Sequence, residues 1–267
     1  MPMDCCTGKA AAQEFCLLPV RVQKKAFQVL LTGILPVSSY ADGWGTCRQV
    51  PGKSSERNKR FEEAVMKKLV LYIHGKGGCA GESEHFKPLF PECEVVGLDY
   101  QTFTPWETGK EIREAVMKLN GKYDSIILIA NSIGAFFCMN AGIDAMIHSA
   151  YFISPIADME RLILNMMSWA NVSEKELEEK GVITTSSGED LSWDYLCYVR
   201  DHPVCWTVPT RILYGSQDNL TSYETISVFA KTHGAELTVM EDGEHWFHTD
   251  DQMQFLNNWI INERNIR

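Results

Sequence analysis

From Lys68 onward the chain alternates between continuous apolar runs and segments whose apolar residues recur at helical spacing. The runs Lys68–His74, Glu94–Leu98, Ser125–Ala130, Ala145–Ile153, Thr210–Gly215 and Glu236–Met240 read as strands. Between them, Glu82–Leu89, Glu107–Leu119 and Ala135–Ala141 read as helices. In Glu107–Leu119, the residues Ile112, Ala115, Val116 and Leu119 fall on one face, and Asn120-Gly121 stops the helix. Apolar strands without alternation are buried on both faces. Helices between such strands predict an α/β fold with a mostly parallel, doubly wound sheet.

The stretch from Pro155 to Pro209 breaks this rhythm. It holds three helical segments, Asp158–Trp169, Ser173–Lys180 and Leu191–Arg200. Ser173 with Glu176 fits a capping box, and Gly181 suits the end of that helix. Residues 1–65 show little periodicity, so the predicted domain covers 66–267, with an insertion at about 155–209. For 1–65 three readings stand. The segment is an extension without a fold of its own, or one whose start is placed too far upstream. It is a structured extension packing on the domain. Or Lys24-Lys25, the apolar Ala26–Val37 and Ser39-Tyr40-Ala41 form an export signal, although they lie well inside the chain.

Composition narrows the possibilities. At 267 residues the chain buries enough surface to fold without disulfides or metal. A formal net charge of −10 argues against nucleic acid, because phosphate binding needs a basic face. The nine cysteines follow no framework and include no C-x-x-C pair. That pattern predicts reduced thiols and a cytoplasmic home. Cys138 reads as a small buried apolar residue. No run of 18 apolar residues is present, so no transmembrane segment is expected.

The candidate chemistry begins at Ile129-Ala130-Asn131-Ser132-Ile133-Gly134-Ala135. A strand, a sharp turn and a helix with a serine at the bend make the design of a nucleophile elbow. The usual G-x-S-x-G has Ala130 at its first glycine and keeps Gly134 at its second. The competing reading is a plain helix start capped by Asn131 or Ser132. A nucleophilic serine needs a base, and the base needs a carboxylate to orient it. Ser216-Gln217-Asp218-Asn219 follows one predicted strand, and Gly243-Glu244-His245 follows the next. Asp242 and His248 compete for these two roles. Trp246-Phe247-His248 reads as the start of the last helix, which turns His248 away from the serine.

These three elements together resemble the α/β-hydrolase family, from about Lys67 to the C-terminus. The resemblance implies Ser132 as nucleophile, His245 as base and Asp218 as its orienting acid. It implies an oxyanion hole from the backbone N–H of Ile133 and one from the loop His74-Gly75-Lys76-Gly77-Gly78, supplied by Lys76 or Gly77. His74 itself reads as a residue that holds the loop. The resemblance further implies a small helical cap over the site, formed by the insertion. Met166 and Trp169 of the cap, with Tyr100 and Trp106 at strand ends, are candidates for the substrate pocket. No metal or organic cofactor is called for.

The expected activity is hydrolysis of a carboxylic ester or thioester of a small or acyl substrate, through an acyl-enzyme. No acidic anchor for an amino terminus is evident, which disfavours a serine peptidase on the same three residues. A hydrolase-like ligand-binding protein without catalysis is the reading from a different class. Cofactor-free lyase or perhydrolase chemistry is a third. The sequence leaves oligomeric state open. Deleting residues 1–65 is expected to leave a soluble, active protein. Size-exclusion chromatography and ester turnover of the truncated chain check this, and a precipitated or inert product overturns it.

Overall fold

The structure, a computed structural model, describes residues 66–265. All three readings of residues 1–65 therefore lie outside the described residues. Six strands form one sheet: β1 (Lys68–Ile73), β2 (Cys93–Leu98), β3 (Ser125–Asn131), β4 (Ser149–Ile153), β7 (Thr210–Gly215) and β8 (Glu236–Met240). Their order is β2-β1-β3-β4-β7-β8, and every pairing is parallel. A second, two-stranded antiparallel sheet pairs β5 (Val182–Thr184) with β6 (Asp190–Ser192).

Successive side chains of a strand point to opposite faces, so each apolar strand feeds two cores. Leu69, Leu71 and Ile73 of β1 and Ile126, Leu128 and Ala130 of β3 enter one core. That core is shared with α1 (Pro105–Leu119), α2 (Ile133–Asn140), α3 (Met159–Trp169) and α6 (Tyr223–His233). Val70, Tyr72, Ile127 and Ile129 enter the other core, with Phe86, Phe90 and the helix α7 (Asp250–Asn265). The doubly wound architecture follows directly from strands with no polar face.

Local chemistry sets the helix ends. Thr104 caps α1: its Oγ1 accepts the N–H of Glu107 and donates to the Glu107 carboxylate at 2.9 Å. Pro105 sits at the first helical position, where its missing N–H costs nothing. Ser173 accepts the Glu176 N–H at 3.2 Å and so caps α4 (Glu174–Lys180). The Glu176 carboxylate in turn has the Lys180 ammonium, at 2.7 Å, and the Ser173 backbone N–H as partners, and both hold it below the ordinary carboxylate range, as the capping box expects.

Several elements differ from the sequence expectation. Residues Ala80–Leu89 form a 3-10 helix containing Pro88, which has no N–H to continue an α-helical ladder. The expected strand over 145–153 is shorter: Asp144–Met146 is a 3-10 turn, and pairing begins at Ser149. The hairpin β5–β6 is not among the expected elements, since three-residue strands carry no readable period. Its second strand takes the start of the expected helix over 191–200. Ser192 then caps the true helix, α5 (Trp193–Asp201), by accepting the Tyr195 N–H. Helix α6 is also new, capped by Ser222 at one end and closed by left-handed Gly234 at the other. Residues 246–248 lie in a loop, and the last helix starts at Asp250.

The segment between β4 and β7 holds α3, α4, the hairpin and α5. Leu177 and Leu196 from this segment are fully buried in the same core as β1 and β3. Leu196→Ala is therefore expected to destabilise the domain by about 2–5 kcal/mol, in a single transition followed by circular dichroism. A melt in two steps, with only the first affected, contradicts a shared core.

Candidate active site

β3 ends at Asn131 and α2 begins at Ile133, leaving Ser132 alone at the bend. Its backbone sits at φ 51°, ψ −121°, a region costly for any residue with a side chain. Three backbone hydrogen bonds hold it there. Ser132 N–H donates to the carbonyl of Ile153 at 2.9 Å, and its own carbonyl accepts from Ile156 at 3.1 Å and Ala135 at 3.2 Å. The end of β4 and the chain after it thus clamp the turn.

The two small residues of the motif are unequal. A Cβ added to Gly134 would lie 2.4 Å from the carbonyl oxygen of His74, so a side chain there must push α2 away from the loop after β1. Ala130 is fully buried yet fits. The methyl that departs from the usual motif therefore stands where the core has room for it.

Ser132 Oγ lies 2.8 Å from Nε2 of His245. On the other side of the ring, Nδ1 lies 2.7 Å from Oδ2 of Asp218. The side chain of His245 is 7% exposed and that of Asp218 is fully buried. The remaining carboxylate oxygen, Oδ1, accepts the N–H groups of Leu220 and Thr221 at 2.8 and 2.9 Å. Both oxygens are thus occupied, and the carboxylate has one way to face the ring. The loops after β7 and β8 come together because Gly215 has no side chain. A Cβ there would lie 2.4 Å from the carbonyl oxygen of Gly243.

The competing residues stand elsewhere. His248 turns its Nδ1 to the carbonyl of Trp246 at 2.8 Å and to Glu244 at 3.3 Å. Asp242 donates its N–H to Ser216 Oγ at the turn after β8. Cys138 is fully buried, and burial pushes its thiol up, so it stays protonated. His74 stacks on Tyr100 at 4.2 Å between centroids and makes a 2.7 Å hydrogen bond from Nδ1 to the carbonyl of Gly75. It therefore braces the loop after β1.

Ser132 and His245 open into a cavity of about 1070 Å³. Lys76 and Gly77 line it beside the serine. Leu162, Met166, Trp169 and Ala170 of α3 and its end form an apolar wall, and Trp246 flanks the histidine. Two candidates do not reach it. Tyr100 is 3% exposed, and its hydroxyl donates to the carbonyl of His74. Trp106 packs between Tyr195 and Tyr198. Both follow a strand that ends on the rim where Ser132 and His245 stand, but the Tyr100 ring turns into the core and the Trp106 ring packs against it.

Three carboxylates also line the cavity, Glu82, Glu189 and Glu244. None was singled out by sequence as part of a site. Each already has a partner. Glu82 accepts the Tyr72 hydroxyl at 2.5 Å. Burial, with Glu82 beside it, raises the phenol above its ordinary pKa and keeps it a neutral donor. Glu189 pairs with Lys76, and Glu244 accepts from Gln252. Among the described residues no group of His, Cys, Asp and Glu could hold a metal ion.

No family model matches the sequence, and no curated protein matches it. Solved structures do. Est1E from Butyrivibrio proteoclasticus matches with a TM-score of 0.61 at 17% identity, over 76% of this chain and 88% of that one. Alpha/beta hydrolase domain-containing protein 10 from mouse matches with a TM-score of 0.57 at 18% identity, over 74% and 89%. A soluble variant of monoglyceride lipase from Saccharomyces cerevisiae matches with a TM-score of 0.51 at 12% identity, over 74% and 86%. The chain has the α/β-hydrolase fold. In this fold the bend after β3 and the loops after β7 and β8 all open on one rim of the sheet, where Ser132, Asp218 and His245 meet.

The elbow yields a direct test. Gly134→Ala is expected to cost about 1–3 kcal/mol by overpacking, measured by chemical denaturation. Ala130→Gly should cost at most about 1 kcal/mol. Equal costs at the two positions would contradict the asymmetry described.

Proposed function

We propose that this protein is a serine hydrolase that cleaves a carboxylic ester, or the matching thioester, of a small or acyl substrate. The carrying observation is the unbroken relay from Asp218 Oδ2 through His245 to Ser132 Oγ, with contacts of 2.7 and 2.8 Å. A ligand-binding protein needs no such relay, whereas acyl transfer needs each part of it.

Ser132 attacks the carbonyl carbon and gives its proton to Nε2 of His245 as the bond forms. Asp218 fixes the proton on Nδ1 and stabilises the imidazolium. The histidine then returns the proton to the leaving alcohol or thiol. A water repeats the sequence on the acyl-enzyme and releases the acid. The developing oxyanion needs preorganised donors. Ile133 opens α2, so its N–H has no partner within the helix. The second donor is the backbone of Lys76 or Gly77, both on the cavity wall.

The insertion acts as a cap. Its apolar wall of Leu162, Met166 and Trp169 suits the acyl part of a substrate, because methionine repacks around irregular apolar groups. The cavity is large enough for a drug-sized molecule. The five described cysteines are free thiols, which fits a reducing compartment such as the cytoplasm. Among the described residues no helix is long and apolar enough to cross a membrane.

A fluorophosphonate probe tests the reading, with p-nitrophenyl esters of rising chain length to size the pocket. Wild type should be labelled and Ser132→Ala should not. Ser132→Ala and His245→Ala should each lower kcat by several orders of magnitude, and the double variant should lose little more, because such residues act as a unit. An unlabelled wild-type protein that hydrolyses no ester sinks the proposal in favour of a ligand-binding protein.

A further inference from the structure

Within residues 75–78, the only side chain is that of Lys76, between Gly75 and Gly77-Gly78. The backbone makes one turn bond of its own, from Gly78 N–H to the Gly75 carbonyl at 3.2 Å. A glycine-rich loop has many accessible conformations, so its shape must be fixed by contacts. Lys76 reaches across to the insertion, where its Nζ lies 3.2 and 3.5 Å from the two oxygens of Glu189. The side chains are only 12% and 9% exposed.

Glu189 is itself held firmly. It closes the turn between β5 and β6 by donating its N–H to Thr185 Oγ1 at 3.0 Å and accepting the Thr185 N–H at 2.7 Å. The hairpin leads straight into α5, whose Leu196 is fully buried. The position of the carboxylate is therefore set by the core through the hairpin.

We infer that Glu189 is a positioning residue: through its ion pair with Lys76 it sets the backbone of residues 76 and 77 at the spot where a donor must meet the oxyanion. This rests on the ester-hydrolase reading above and deepens it. Glu189 acts through Lys76 and holds the loop before substrate arrives, so its contribution is greatest in the transition state. Loss of the pair leaves the loop in place on average but free to wander. A donor displaced by a fraction of an ångström loses much of its effect.

The test is steady-state hydrolysis of p-nitrophenyl butyrate by the full chain. Glu189→Gln and Lys76→Met should each lower kcat by about tenfold to thirtyfold while KM changes by less than about threefold. The double variant should fall no further than the worse single one, since the pair acts as a unit. Glu189→Asp, which keeps the charge but shortens the reach, should lie between wild type and Glu189→Gln. It carries the comparison if Glu189→Gln does not fold, as judged by its thermal melt.

A kcat within about twofold of wild type for both Glu189 variants, with Ser132→Ala inactive, leaves the hydrolase reading standing and overturns the positioning role. A raised KM at unchanged kcat overturns it too, by making Glu189 a substrate contact. Additive losses in the double variant also count against it. A wild-type protein that neither turns over the ester nor takes the fluorophosphonate label brings down both.

Discussion

The structure turns on a single unfavourable backbone conformation. Ser132 holds a positive φ with a side chain attached, and that conformation persists only because its surroundings over-determine it. β3 delivers the chain, α2 takes it away, and the end of β4 clamps it from the side. Each support needs the parallel sheet. β4 can offer the Ile153 carbonyl to Ser132 only if it runs beside β3 in the observed register. Burial of both sheet faces thereby supplies the energy that keeps one serine in a position the isolated chain would avoid.

The site is divided between parts that cannot move and parts that are placed by long-range contacts. Asp218 and His245 are fixed by local geometry: two backbone N–H groups on one carboxylate oxygen, the ring on the other, and loops in contact at Gly215. The loop after β1 has less local support, a turn bond from Gly78 to Gly75 and the His74 ring on the Gly75 carbonyl. It depends on His74 stacked on Tyr100 at one end and on Lys76 reaching the insertion. The contacts from Asp218 through His245 to Ser132 are thus prepared by the sheet, while the neighbouring glycine-rich loop is prepared in part by the insertion it touches.

Much of this was legible in the chain itself. Six apolar runs gave six parallel strands, because a strand buried on both faces has no polar positions to hide its pattern. Ser132, Asp218 and His245 could be singled out because each follows a strand end, in the order the resemblance requires. Legibility failed where direction or distance mattered. Tyr100 and Trp106 follow strands on the correct rim, but nothing local states that their rings turn inward against His74 and against Tyr195. The hairpin β5–β6 is too short to show a period. The Lys76–Glu189 pair joins residues 113 positions apart, and no local signal links them. Helix α6 has a serine cap and a terminal glycine that could have announced it.

The insertion shares its interior with the sheet, since Leu177 and Leu196 belong to the same core as the central strands. It therefore cannot swing aside as a rigid lid without exposing that interior. Traffic into and out of the cavity falls instead to its surface margin: the indoles of Trp169 and Trp246, 63% and 57% exposed, and the solvent-facing tip at residues 186–188. Side-chain rotation and the breathing of one short tip are fast, small motions. A doorway of that kind screens visitors by girth rather than by a slow opening event.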